Sequence, residues 1–154
     1  MYIETTVPNF YYDLRSSAAV TSRRFWTCEW WASAAARHDL ITSEEVLLEL
    51  SAGTSHLVPL RLALLDHIPV LQITPAVIET AETYIRHKLM PGRPSGDAYH
   101  LALASHHGCD FILTWNIRHL ANPNKLAHAR HMNQRLGLPL PQVVTPLDLL
   151  GRMR

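Results

Sequence analysis

Three carboxylates and one amide, Glu4, Glu49, Asp97 and Asn116, are scattered along the 154-residue chain. Glu4, Asp97 and Asn116 fall near junctions between an apolar segment and a helix, and Glu49 follows the second strand by two helical turns. Carboxylates brought together repel one another, and burial sharpens the repulsion, so such a group persists where a divalent cation offsets the charge. An oxygen-only ligand set suits Mg²⁺ or Mn²⁺ rather than zinc. Spacing alone leaves ordinary roles open as well: Glu4 as an exposed strand end, Glu49 on a solvated helix face, Asp97 as a first-turn acid favoured by the helix dipole, and Asn116 as a helix cap.

Convergence of these four demands a particular scaffold. Met1 to Glu4 reads as a short strand whose run Pro8 breaks, and Ser16 to Arg37 as a long helix opened by Ser16-Ser17. Leu40 to Thr42 is a second strand; Ser43 caps a helix from Glu44 to Ala52 that Gly53 stops, and another runs from about Ser55 to Asp66 with Pro59 in its first turn. Val70 to Ile73 resembles a buried strand. Thr74-Pro75 then opens an amphipathic helix with Val77, Ile78, Ala81, Tyr84, Ile85 and Leu89 at helical spacing. Past a loop from Met90 to Gly96, a helix from Asp97 to His107 stops at Gly108, and Phe111 to Thr114 is an apolar strand. Asn122-Pro123 precedes a basic helix to about Leu136, and Val143-Val144 and a short helix from Thr145-Pro146 follow. Strands alternating with helices predict a three-layer α/β/α fold around a parallel sheet of about five short strands, with residues 1–154 as one domain. In such sheets the site lies outside the carboxyl ends of the strands, which is where Glu4 and Thr114-Trp115-Asn116 fall.

Other polar and aromatic groups offer competing chemistry. Asp97 with His100, and His128 with His131, are spaced i,i+3, as a zinc hydrolase would require, but neither belongs to an HExxH signature. Exposed or interface histidines are the simpler expectation. Phe25, Trp26, Trp30 and Trp31 crowd one helix with more apolar bulk than a single core-facing stripe accommodates, which points to a homodimer. Trp115 adjoins Asn116 and is placed either to stack on a base or to pack in the core. Asp110 precedes its strand and so belongs to the opposite edge. Cys28 and Cys109 lack CxxC spacing and are expected as buried thiols.

Composition sets the outer bounds. With 47% hydrophobic and 18% charged residues, 10 Pro and 6 Gly, the chain is globular rather than disordered. At this length it can bury about 70% of the surface exposed on unfolding, enough for a core without disulfides. No apolar run approaches the roughly 18 to 20 residues of a membrane span, and no basic-then-apolar leader opens the chain, so a cytoplasmic protein with no membrane contact is expected. The net charge of +1 hides an asymmetry: residues 1–77 carry 5 Lys/Arg against 8 Asp/Glu, residues 78–154 carry 9 against 5, and no acid lies between Asp110 and Asp148. Such a half could track a polyanion, with Arg93, Arg118, Lys125 and Arg130 as candidate phosphate contacts.

Four segments together resemble a known family. Tyr2-Ile3-Glu4-Thr5-Thr6, Val46-Leu47-Leu48-Glu49-Leu50-Ser51-Ala52-Gly53, Asp97-Ala98-Tyr99-His100-Leu101-Ala102-Leu103-Ala104 and Cys109-Asp110-Phe111-Ile112-Leu113-Thr114-Trp115-Asn116 look like the PIN-domain ribonucleases, the group that includes VapC-type toxins. The resemblance implies a metal-dependent endoribonuclease, with Glu4, Glu49 and Asp97 as the first three family acids holding Mg²⁺ or Mn²⁺. Asn116 falls where many members carry a fourth acid, in an outer shell or beside a second ion. Thr5 and Thr114 match small hydroxyl positions that orient a carboxylate or a water. The implied partners are RNA and an antitoxin protein. Glu4, usually Asp, and the neutral Asn116 depart from the family pattern, and the alternative function is a catalytically weak PIN-like module that binds RNA or protein.

Overall fold

The structure, a computed structural model, describes residues 1–92 and 96–152, so the candidate phosphate contact Arg93 lies outside the described residues. Its strands are β1 (Tyr2–Ile3), β2 (Thr42–Ser43), β3 (Val70–Leu71), β4 (Phe111–Leu113) and β5 (Gln142–Val144). All pair in parallel. β4 lies between β1 and β5, with Tyr2 opposite Ile112 and Leu113 opposite Val144, while β2 pairs with β3. The two sheets touch at a bridge between Tyr2 and Ile41, where the Ile3 amide donates to the Ile41 carbonyl at 2.8 Å. The continuous five-stranded sheet expected from the sequence is therefore a three-stranded and a two-stranded sheet side by side. The Ile3 carbonyl accepts the Thr42 hydroxyl at 3.1 Å, the Thr42 amide turns to the Pro69 carbonyl at 2.9 Å, and the chain enters a helix after Glu4, so β2 continues with β3 alone.

Successive strand residues face opposite sides of a sheet. Tyr2 and Ile3, like Ile112 and Leu113, are all fully buried, so both faces are covered by helices, as the three-layer α/β expectation requires. The helices are α1 (Thr6–Tyr11), α2 (Ala18–Ser33), α3 (Glu44–Ser51), α4 (Val58–Leu64), α5 (Pro75–Arg86), α6 (Asp97–His106), α7 (Leu126–Leu136) and α8 (Pro146–Arg152). α1 packs on α2 and α4, α2 on α8, and α5 on α6. Trp30, Tyr84, Leu101 and Leu103 are fully buried between these layers. Each large side chain so buried contributes about 1.5–3 kcal/mol.

Side-chain caps set several helix starts. Ser43 Oγ accepts the Val46 amide at 3.3 Å, and Thr74 Oγ1 accepts the Val77 amide at 3.3 Å ahead of the N1 proline of α5. Three sequence expectations change. Pro8 does not end ordered structure: it occupies the first turn of α1, where its missing N–H has no intrahelical partner to lose. The long helix expected over Ser16 to Arg37 is α2 followed by a 3-10 turn over Ala35–Arg37. The helix expected to reach Leu89 ends at Arg86, because Lys88 takes a left-handed φ of 59° that lets Leu89 fold back onto the Tyr84 carbonyl at 2.8 Å.

Candidate metal centre

Parallel pairing puts every strand's carboxyl end on one edge, and Glu4 and Thr114 are the residues that follow β1 and β4 there. Glu4 is 2% exposed. Its Oε2 accepts the Thr6 amide at 3.0 Å, the Thr6 hydroxyl, and the Thr114 hydroxyl at 2.7 Å. That clamp also caps α1 and leaves Oε1 directed away from it, 3.7 Å from His100 Nε2. Glu49, one side of α3, brings Oε1 to 2.7 Å from the same His100 nitrogen, and its side chain remains 33% exposed, so the cluster opens to solvent through Glu49. Among the described residues, Glu4, Glu49 and His100 form the cluster whose ligand-type atoms all lie within 4.8 Å of one another.

His100 is fully buried, contrary to the expectation of an exposed histidine. The signal was present in the sequence: Ala98, Leu101, Ala102, Leu103 and Ala104 make α6 apolar on every side, the mark of a helix buried all round. Behind the cluster, His100 Nδ1 shares a 2.7 Å hydrogen bond with the Tyr2 hydroxyl, which shares another at 2.7 Å with Ser43 Oγ. Tyr2, Ser43 and Thr6 were all missed, since a strand tyrosine and a capping serine carry no mark of a site until the fold joins them.

Three buried polar atoms at this edge, Thr5 Oγ1, Glu49 Oε1 and His100 Nε2, have no hydrogen-bond partner of proper geometry. Glu49 and His100 nonetheless face each other at 2.7 Å as an ion pair, so the polar atom left without a partner at this edge is the Thr5 hydroxyl. Two carboxylates and an imidazole with ligand-type atoms within 4.8 Å of one another fit a divalent cation.

Burial pushes the Glu4 carboxyl upward, although the His100 charge and the Thr6 and Thr114 hydrogen bonds pull against it. Burial would raise Glu49 too, but contact with His100 outweighs it and holds that carboxyl below its usual value. For His100, burial acts to lower the imidazole, and the pull of Glu49 and then Glu4 reverses it, so the group sits above its ordinary value.

Asp97 stands at the same edge with a different set of contacts. Gly96, in a left-handed φ of 53° that disfavours any side chain, starts α6 with its amide on Glu45 Oε1 at 2.8 Å, and a Cβ there would lie 4.0 Å from Glu49 Oε1. Asp97 follows at once, and its Oδ1 accepts the Asn116 side-chain amide at 2.7 Å. Asn116 Oδ1 accepts the His119 amide at 3.2 Å. Because a backbone N–H demands an acceptor, this bond fixes the amide's orientation, and the oxygen considered as a metal ligand is instead committed to a cap. Asn116 holds Asp97.

The remaining candidates divide. Thr114 clamps Glu4 and its Oγ1 accepts the Asn116 amide at 2.9 Å, and Thr5 is buried beside Glu49. Trp115 is a core residue, 6% exposed with its indole N–H on Thr27 Oγ1 at 2.8 Å, and is not available to stack on a base. Arg118 and Arg130 are exposed, whereas Lys125 Nζ donates to the Leu89 carbonyl at 3.0 Å and so is tied to the fold. His128 and His131 join no metal-type cluster among the described residues. Cys28 and Cys109 are half-buried rather than buried, with thiols that burial pushes up. On α2, Trp30 is enclosed while Trp31 packs edge-on against Tyr11, which uses up part of the aromatic surface assigned to a dimer.

Fold and site together define an α/β protein with an acidic pocket at the carboxyl edge of a parallel sheet. The sequence model of the PIN domain matches residues 15–125, and the chain belongs to the PIN domain family. Among solved structures it is similar to VapC20 of Mycobacterium tuberculosis, a sarcin-ricin-loop-cleaving toxin, at 20% identity and TM-score 0.55, covering 72% of this chain and 85% of that one. It is also similar to VapBC2 of Rickettsia felis bound to a DNA fragment from its promoter, at 13% identity and TM-score 0.51, covering 94% and 96%. At these identities the likeness shows the fold. No curated protein sequence matches the chain. None of the described helices is long and apolar enough to cross a membrane.

Proposed function

We propose that the protein is a divalent-metal-dependent endoribonuclease that hydrolyses RNA phosphodiesters. The observation that carries the reading is the gathering of Glu4, Glu49 and His100 with ligand-type atoms within 4.8 Å of one another, near enough to Asp97 for its charge to act on His100. A bound Mg²⁺ or Mn²⁺ would supply Lewis-acid activation of water and charge compensation at the phosphate. Glu4, Glu49 and Asp97 would hold the cation. The Thr6–Thr114 clamp presents Glu4 through one oxygen, and Asn116 fixes the rotamer of Asp97 by binding Oδ1. Thr5, with an unpartnered hydroxyl, completes the hydrogen bonding of whatever occupies the pocket.

RNA as substrate is supported by family membership and by the likeness to VapC20, a sarcin-ricin-loop-cleaving toxin. The same kinship supports an antitoxin as partner, and Phe25, 53% exposed beside Trp26, supports a homodimer through α2. Cleavage of a labelled RNA in Mn²⁺ and Mg²⁺, its loss in EDTA and its loss in Asp97→Asn are the expected results. RNA binding without cleavage in any divalent ion would replace the enzyme with a binding module.

A further inference from the structure

Resting on the ribonuclease reading above, we infer that Arg23 binds an RNA phosphate at the carboxyl edge of the sheet, through a guanidinium that Phe10 and Trp115 hold in place before any ligand arrives. Its guanidinium carbon lies 5.2 Å from the centre of the Phe10 ring and 5.7 Å from a ring of Trp115. Both distances fall within the roughly 6 Å over which a ring face attracts a cation. The two rings themselves meet edge to face, with centroids 6.2 Å apart. Among the described residues Arg23 forms no ion pair with a carboxylate, and it is half-buried. Its charge is oriented but not neutralised.

Both rings belong to the frame that clamps Glu4. Phe10 stands one turn beyond Thr6 on α1, and the Trp115 amide donates at 2.8 Å to Thr6 Oγ1, the same hydroxyl that binds Glu4 Oε2. Trp115 is pinned in turn to the helix that carries Arg23: its indole N–H donates to Thr27 Oγ1 at 2.8 Å, and Thr27 Oγ1 donates to the Arg23 carbonyl at 2.6 Å. An acidic pocket repels a polyanion, so a strand drawn toward it gains from a fixed cation on the same edge. Guanidinium suits the task because its plane can lie against a ring while its N–H groups meet two phosphate oxygens, a combination that an ammonium lacks. Arg24, next in the chain, supplies the contrast, since it is exposed and its charge acts on Tyr11 and Cys28.

The test is binding of a labelled oligouridylate to the full chain across a salt series in EDTA, where no metal-dependent cleavage consumes the probe. Arg23→Gln should weaken binding by about tenfold and lower the slope of log affinity against log salt by about 0.7, the value of one phosphate contact on a single strand. Arg23→Lys should keep the slope, because the charge remains, and lose about threefold in affinity with the fork and the stack. Arg24→Gln should move the slope far less. Equal slope losses at Arg23 and Arg24 would reduce the effect to net charge and overturn the assignment. So would an Arg23→Gln protein that melts lower but binds RNA as the parent does, or a parent that binds no RNA. Slope loss in Arg23→Gln with no cleavage by the parent in any divalent ion would uphold the Arg23 contact and remove the nuclease; cleavage by the parent with Arg23→Gln binding unchanged would do the opposite.

Discussion

Two buried polar clusters in this molecule make a useful contrast, and α6 contributes to each. At its amino end, His100 Nε2 meets two carboxylates, Glu49 Oε1 at 2.7 Å and Glu4 Oε1 at 3.7 Å, and Thr5 Oγ1 beside them has no hydrogen-bond partner. Near its carboxyl end, Ser105 Oγ accepts from Asn133 Nδ2 at 2.9 Å, the same Nδ2 donates to the Pro139 carbonyl at 2.9 Å, and the Tyr84 hydroxyl donates to Asn133 Oδ1 at 2.5 Å. The first cluster opens to solvent through Glu49, whereas Asn133 is enclosed, meets its neighbours' demands and thereby locks α5, α6 and α7 together. A satisfied neutral network rigidifies a core, whereas two carboxylates packed against one imidazole keep an excess of negative charge that a cation can offset. That difference in charge separates structure from function.

The comparison breaks most sharply if each cluster is damaged in turn. Glu4→Gln should reduce RNA cleavage by about 100- to 1,000-fold, the scale of a lost electrostatic contact in a transition state. Its melting temperature should not fall, because a buried charge disfavoured by its surroundings has been removed. A large drop in melting temperature would make Glu4 structural. Asn133→Ala should do the reverse: three unpaired partners cost about 3 kcal/mol, or roughly 6–12 °C for a chain of this size, while cleavage well below the transition stays near that of the parent.

Metal addition sharpens the contrast further. Mn²⁺ at about 100 times its dissociation constant should stabilise the parent by about 2.7 kcal/mol and raise Asn133→Ala by the same amount, since the two sites are independent. Asn116→Asp tests the boundary of the pocket. It places a carboxylate against Asp97 Oδ1, where the amide now lies at 2.7 Å, and should cost about 1 kcal/mol without metal at neutral pH and low salt. With Mn²⁺ its melting temperature should rise by more than the parent's; equal shifts in calorimetric melts would place Asn116 away from the cation.

The smallest effects belong to the basic half. Arg118→Ala should lower the slope of log affinity against log salt by about one if Arg118 contacts a phosphate. Lys125→Ala should leave that slope unchanged, because Nζ is held by the Leu89 carbonyl. Filter binding across a salt series measures both, and a slope change at Lys125 alone would invert the assignment.

Local rules read from the residues gave most of the scaffold. Ser43 and Thr74 as caps, Pro59 and Pro75 at helix starts, and the apolar Phe111–Leu113 strand depend on neighbours within one or two turns, so they could be read from the chain. The junction positions of Glu4, Asp97 and Asn116 followed from the same rules, because an α/β sheet places such junctions on one edge. What those residues do to one another was a tertiary matter. Sequence offers no means of knowing that Asn116 spends its oxygen on His119 and its nitrogen on Asp97, or that β1 ends after Ile3 and splits the sheet. The partnership of Tyr2 with His100, 98 positions apart, was equally hidden, since a hydrogen bond depends on distance and angle in space and leaves no periodicity in the chain. Burial decided the rest: it changed His100 from a surface histidine into the nitrogen at the centre of an acidic pocket, because the layers that enclose α6 come from every part of the sequence.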